Sequence, residues 1–264
     1  MLTSPPALLS VDREGELKGV RYQENLMKNP NGPYPGRQVF VGVTEQGKPA
    51  FAYLVTGRSP ASRERKAMPK KNSIIMGPLG NAPYDWLRHY MAVKYDNAIG
   101  LAAFSNGIQT EAIFETYKLL YHTASAPNKS YLKKIMDGAN FEPDSLKTPR
   151  VSGVITNPAG KTDPVYQLSI VTSEKAVAWQ VKPQVGTLRS VSTYHGNIEN
   201  PGAFNIDGGL PEIEFRGETP EELAKFIYDI SAETYKGDDI RVCAIGGIRE
   251  GNAWEIALIN RHKD

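Results

Sequence analysis

The stretch Gln38-Val-Phe-Val-Gly-Val-Thr44, Glu45-Gln-Gly-Lys48, then Ala50-Phe-Ala-Tyr-Leu-Val-Thr56 decides the fold class. Two runs rich in β-branched and aromatic residues flank a short turn containing one glycine, which is the pattern of a β-hairpin. Outward from it, strand patterns recur at 73–76 and within 90–95, and Asp96-Asn97 turns the chain into another run ending at Phe104. Beyond Ser105-Asn106-Gly107 the period changes. Ile113, Tyr117, Leu120 and Tyr121 recur at helical spacing, which predicts a helix from near Thr110, with a second short one at 130–136. Strand patterns return at 150–156, 165–172, 176–181 and 187–194. The last helix has the clearest signals: Thr219 caps it, Pro220 takes its first turn, Glu222 completes a capping box and Gly237 follows its end. Leu223, Phe226, Ile227 and Ile230 form its apolar stripe, and a hairpin at 240–248 and 253–260 closes the chain. Hairpins grouped around pairs of helices do not make the regular alternation of a parallel α/β fold. They predict an α+β chain of mainly antiparallel sheets with helices on the outer faces. Residues 1–33, polar and punctuated by Pro and Gly, read as an N-terminal extension, and 34–264 as a single domain.

Composition narrows the function. The chain has 264 residues, 40% of them hydrophobic, enough for a substantial core. A net charge of +2 gives little support to a nucleic-acid partner. Arg58, Arg63, Arg65, Lys66, Lys70 and Lys71 form a basic run opposed by Glu64 alone, read as a loop that is either solvated or anion-binding. The single cysteine, Cys243, excludes an internal disulfide and lies in an apolar run that predicts a buried, inert thiol. No apolar stretch approaches the ~18 residues of a membrane span, and the N-terminus lacks the order of a signal peptide. A cytoplasmic protein is expected, with edge strands and modest size compatible with a homo-oligomer.

The histidines, 89, 122, 195 and 262, are far apart and have no partner at metal-ligand spacing, so no metal is expected. There is no phosphate-cradling lysine loop, no dinucleotide-binding glycine triad and no Gly-x-Ser-x-Gly elbow. What remains is a set of cationic, phenolic and amide side chains near strand ends. Arg58 and Arg63 follow a strand and offer guanidinium forks. Ser105-Asn106-Gly107 stands at a strand-to-helix junction, where it either receives an anion or simply makes the turn. Arg150 enters a strand as an anion ligand or a surface ion-pair partner. Tyr84 is a reactive phenol or ordinary packing. Glu142 caps a loop or acts on a substrate, and Lys94 faces either solvent or a site.

In order along the chain, Gly36-Arg37, Ala52-Tyr-Leu-Val-Thr-Gly-Arg-Ser59 with Arg63, Pro83-Tyr84, Lys94, Ser105-Asn-Gly-Ile-Gln-Thr110, Phe141-Glu-Pro-Asp144 and Lys147-Thr-Pro-Arg-Val-Ser-Gly153 resemble the archaeal-type IMP cyclohydrolase family. Ser192-Thr-Tyr194 adds to the likeness. The resemblance implies a four-layer αββα sandwich like that of the N-terminal-nucleophile hydrolases. It implies dehydrative ring closure of 5-formamidoimidazole-4-carboxamide ribonucleotide to IMP in de novo purine biosynthesis, with no cofactor. Carried over residue by residue, it implies Arg63, Tyr84, Lys94 and Glu142 as catalytic and Arg37, Arg58, Ser105, Asn106, Gly107 and Arg150 as substrate-binding. The stretch between Tyr84 and Lys94 is longer than the family's, which leaves Tyr90 as the other match to its tyrosine. Gln109 and Glu111 stand where the family usually has His and Asp. The rival readings are RNA binding through the basic loop at 58–71, a non-catalytic purine-nucleotide-binding protein and an amide hydrolase on the same fold. The last needs an unmasked Ser, Thr or Cys, whereas Met1 precedes Leu2 with no evident processing site.

Overall fold

In the computed structural model, which describes residues 28–262, the opening hairpin forms as β1 (Arg37–Val43) and β2 (Pro49–Thr56). A single helical turn, α1 (Pro60–Arg63), leads into β3 (Arg65–Lys70), β4 (Ser73–Pro78), β5 (Tyr90–Asp96) and β6 (Leu101–Ser105). Helices α2 (Gln109–His122) and α3 (Lys129–Ala139) follow, then β7 (Arg150–Thr156), β8 (Val165–Val171) and β9 (Ala176–Val181). Next come β10 (Thr187–Ser192), the short pair β11 (Tyr194–His195) and β12 (Gly202–Ala203), and β13 (Glu212–Glu214). Helix α4 (Pro220–Ile230), the small pair β14 (Thr234–Tyr235) and β15 (Asp238–Asp239), and the hairpin β16 (Arg241–Glu250) and β17 (Ala253–Asn260) complete the chain. Strands β3 to β9 pair in sequence order as one antiparallel sheet. The other large sheet has the order β13-β10-β1-β2-β16-β17 and is also antiparallel.

The side-chain alternation of the strands sets the layers. Val39, Val41, Phe51, Tyr53, Val55, Cys243 and Ile245 of the six-stranded sheet share a core with Ala102, Phe104, Val151, Ile155 and Leu168 of the seven-stranded one. Their alternates Phe40, Ala52, Leu54 and Ala244 pack beneath α4, against Leu223, Ile227 and Ile230. On the far side, Leu101, Ala103 and Val154 pack against Ile113, Tyr117, Leu132 and Met136 of α2 and α3. This α+β sandwich is the one expected from the sequence. Strands buried along nearly their whole length, such as β1 and β2, are those covered on both faces. Cys243 is fully buried as expected, and burial pushes its thiol up to about 12.

One expectation fails. The basic run 58–71 is not a loop but α1 and β3. Strand β3 is the edge of its sheet, so Lys66 and Lys70 face outward, where charge guards an unpaired edge. The amide and carbonyl of Ala67 are met instead by the side chain of Asn260, at 2.8 and 2.9 Å.

Residues 1–27 of the expected extension lie outside the described residues, but its last part belongs to the domain. Asn29 and Asn31 are buried. Asn29 donates to Gln38 (2.7 Å), Gln38 to Ser190 (3.2 Å), Ser190 to Asn31 (3.2 Å) and Asn31 to Ser192 (2.7 Å). Removing one member leaves buried groups unpaired, at about 1–3 kcal/mol. Asn31→Ala is therefore expected to lower the urea midpoint of unfolding without changing the slope, and an unshifted midpoint would show the network to be dispensable.

Candidate functional site

Three strands start at one end of the sandwich, and each starts with an arginine: Arg37 on β1, Arg65 on β3 and Arg150 on β7. They are 9%, 2% and 2% exposed, and the Nε of each is enclosed without a hydrogen-bond partner. Guanidinium groups stay charged at any physiological pH, so this end of the fold concentrates positive charge away from water.

Among the described residues one buried carboxylate answers them. Glu142 follows α3 in the loop to β7, where its amide donates to the Thr148 carbonyl at 2.8 Å. Its Oε1 accepts from Arg37 Nη2 at 2.5 Å and from Asn106 Nδ2 at 3.1 Å. Its Oε2 makes no hydrogen bond among the described residues. Burial by itself would lower the pKa of Arg37, but Glu142 carries it well above the ordinary value. Arg150 goes the other way: burial pulls it down by more than the charge of Glu142 restores, and Arg37 lowers it further.

The backbone holds this group in place. Gly36, just before Arg37, has φ +68, and a Cβ there would fall 2.3 Å from Thr193 Oγ1. The same threonine accepts from the Arg37 amide at 3.1 Å and so fixes the start of β1. Asn106 is fully occupied, since it also donates to Pro149 O at 3.1 Å and accepts from the Val151 amide at 2.6 Å. It orients Glu142 rather than reaching outward. Ser105 bonds the Thr110 hydroxyl and Gly107 O at the start of α2. Gly107 leaves room for Arg150, whose Nη1 would lie 2.0 Å from a Cβ there.

A cleft of about 320 Å³ opens onto this group, lined by Arg37, Arg58, Arg65, Glu142, Thr148 and Tyr194, with Asp85, Arg88 and Asp144 at its margins. Two of its acids are engaged: Asp85 pairs with Arg88 at 2.7 Å, and Asp144 accepts from the Thr148 hydroxyl at 2.6 Å. Behind Arg37, the hydroxyls of Tyr90 and Tyr53 meet at 2.7 Å. Burial raises Tyr53 well above an ordinary phenol, so it stays protonated. Tyr194 stacks on Tyr34 with ring centroids 5.6 Å apart and bonds Thr148 through its hydroxyl.

Of the residues expected from sequence, the structure brings together Arg37, Asn106, Gly107, Glu142 and Arg150, with Arg58 on the cleft wall and Ser105 beneath. It does not bring in three others. Arg63 turns away to Asp238 at 2.5 Å and to the carbonyls of Gly57 and Arg58, pinning the turn that carries Arg58. Lys94 points to the helical side, where Glu115 (2.8 Å) and the face of Phe114 hold it. Tyr84 is 71% exposed in a neighbouring hollow, its hydroxyl donating to His89 O at 2.8 Å. Arg65 was legible only as one member of a basic run. That it starts a strand, with its side chain turned inward, is what singles it out.

His89 closes the turn beside the cleft. Its Nδ1 accepts from the Asp85 amide at 2.8 Å, which requires a neutral ring. Burial, then the charge of Arg65, lower its pKa. Below the unfolded value of about 6.5 the unfolded chain takes up a proton that the folded ring resists. The contribution of neutral His89 is therefore complete above that pH and is lost as pH falls through the lower folded value. Between pH 7 and pH 5 the Tm should fall more steeply for the native chain than for His89→Gln. Parallel profiles would remove His89 from the account.

Comparison with known proteins gives concordant matches. A family model described as "IMP cyclohydrolase-like protein" matches residues 34–253. The IMP cyclohydrolase of Methanocaldococcus jannaschii is 30% identical over 196 residues, covering 74% of this chain and 85% of that protein. That of Methanococcus maripaludis strain C6 is 28% identical over 201 residues, with 74% and 88% covered. That of Thermococcus kodakarensis is 24% identical over 225 residues, with 85% and 97% covered.

Proposed function

The chain belongs to the IMP cyclohydrolase-like family, and from that premise we propose that the cleft at Arg37, Arg65 and Glu142, backed by Arg150, closes 5-formamidoimidazole-4-carboxamide ribonucleotide to IMP. The observation that carries this reading is three buried guanidiniums set against a single carboxylate, an imbalance that suits an anionic ligand. A volume of about 320 Å³ lies within the usual range for small-molecule sites, roughly 300–1,000 Å³.

The reaction needs alignment and two proton movements. The carboxamide nitrogen attacks the formyl carbon and loses a proton, while the formyl oxygen gains one and becomes a hydroxyl. That hydroxyl then leaves as water with the proton of the formamide nitrogen, and the ring is complete. Both groups already sit on adjacent ring carbons, so holding them coplanar supplies much of the acceleration. Glu142 Oε2 is the base for the carboxamide proton, with Oε1 clamped by Arg37 and Asn106 so that the free oxygen faces the cleft. Tyr90, positioned by its hydrogen bond to Tyr53, supplies the proton to the formyl oxygen, and Arg37 steadies the charge developing there; after ring closure the proton held by Glu142 returns to Tyr90 through water, which resets both groups. Arg65 and Arg58 take the 5′-phosphate, Arg150 fixes the Gly107–Gln109 turn next to Glu142, and Asn106 is a positioning residue.

Two antiparallel sheets face to face with helices outside support reading the fold as akin to the N-terminal-nucleophile hydrolases, without their chemistry. The enzyme works on soluble purine precursors in the cytoplasm, and no helix among the described residues is long and apolar enough to cross a membrane. The test is direct. Purified protein given the formamido nucleotide should form IMP, followed by ultraviolet absorbance. Tight binding of IMP without any turnover would leave a nucleotide-binding protein instead.

A further inference from the structure

A larger cleft, about 520 Å³, lies at the other end of the same strands, where β7 runs out into Asn157 and β1 turns into β2. Seven residues of β1 at about 3.3 Å each separate the two ends by roughly 20 Å. Its central charge is Arg249, whose Nη1 donates to Asn157 Oδ1 at 2.8 Å and whose Nε is enclosed and unbonded. No carboxylate of the described residues comes within ion-pair distance of it. The nearest acid in sequence, Glu250, is taken by Lys48. The guanidinium has a shaped seat: Gly100, at φ +63, would place a Cβ 2.4 Å from Arg249 Nη1, so any other residue there would displace it. Beside it, Tyr166 is 4% exposed, and its hydroxyl makes no hydrogen bond among the described residues although it lines the cleft. Lys161 adds a second cation from an exposed loop, with no acidic partner among the described residues.

A guanidinium held in place without a counter-ion, next to an unbonded phenol and a free ammonium, is a set of donors lacking an acceptor. We propose that this cleft is a second ligand site, which binds the oxyanion group of a small metabolite through Arg249, Tyr166 and Lys161. The fork of Arg249 takes two oxygens, and the phenol and ammonium take the rest. Desolvation already lowers the pKa of Arg249, and an anion there would reverse that.

Equilibrium dialysis of the full chain with labelled inorganic phosphate tests this. The native protein should take up two equivalents, one at each end. Arg249→Gln should remove one, and Lys161→Ala, a change on an exposed loop that leaves the fold intact, should weaken the same one about tenfold. Arg65→Gln should remove the other equivalent and leave the Arg249 site filled. If the native protein binds a single equivalent that Arg65→Gln abolishes, the second site does not exist and the catalytic reading stands. If Arg65→Gln changes nothing while Arg249→Gln does, the second site stands and the phosphate role of Arg65 falls. Unaltered binding in both Arg249→Gln and Lys161→Ala overturns the proposal. Acetate added in competition then identifies the ligand class, displacing phosphate if the site prefers a carboxylate and leaving it bound if it prefers a phosphate ester.

Discussion

Glu142→Gln is expected to lower turnover by about two to four orders of magnitude, the usual contribution of a positioned base, while phosphate binding persists. The carboxylate is 3% exposed and its Oε2 is the one uncommitted carboxylate oxygen in the buried cluster. A glutamine preserves the shape and still offers Arg37 an acceptor, so the loss falls on proton transfer rather than on ground-state binding. The substitution also removes the only buried negative charge among the described residues that faces Arg37 and Arg150. Breaking a buried pair this way typically costs about 3–5 kcal/mol, so the unliganded variant should melt at a lower temperature and regain much of that on adding phosphate. Turnover within threefold of the native value would remove Glu142 from the chemistry. A lowered Tm that phosphate does not restore would mean that the surplus arginines do not receive the anion.

The second large effect separates two tyrosines that sequence alone left equivalent. Tyr90→Phe should cut turnover by about a hundredfold, because it removes the hydroxyl that meets Tyr53 behind Arg37. Tyr84→Phe should leave turnover within threefold, since that hydroxyl serves only the His89 carbonyl in an exposed turn. The phenylalanine keeps the ring of Tyr90 in the core between the sheets, so a fold defect is a poor explanation for its loss. The reverse pattern, with Tyr84→Phe impaired and Tyr90→Phe normal, would mean that the 79–89 turn folds over the substrate and brings Tyr84 to it.

How much of the site could be read in advance depended on the kind of information each residue carries. Glu142 and Asn106 were found because they stand in short local motifs, Phe141-Glu-Pro-Asp144 and Ser105-Asn-Gly107. Their partnership, across a sequence separation of 36, is a product of β6 and β7 lying side by side. Arg63 and Arg65 are two residues apart in a basic run and look alike in sequence. One closes a helical turn and faces Asp238; the other opens an edge strand and faces the cleft. Lys94 lies on β5 among residues of both faces, and the irregular pairing of β4 with β5 turns it to the helices.

The sequence by itself determined most of the secondary structure and the grouping of sheets and helices, the run at 58–71 apart. Hairpin turns, a capping box and the two periods of apolar residues are local signals, and burying those residues leaves few alternatives to two antiparallel sheets with helices outside. It also determined, through ordered motifs, the family. Only the tertiary structure decided which cations share a cavity and which are neutralised elsewhere. That choice rests on strand register and on the direction of single side chains at strand ends, where a shift of one residue exchanges the two faces.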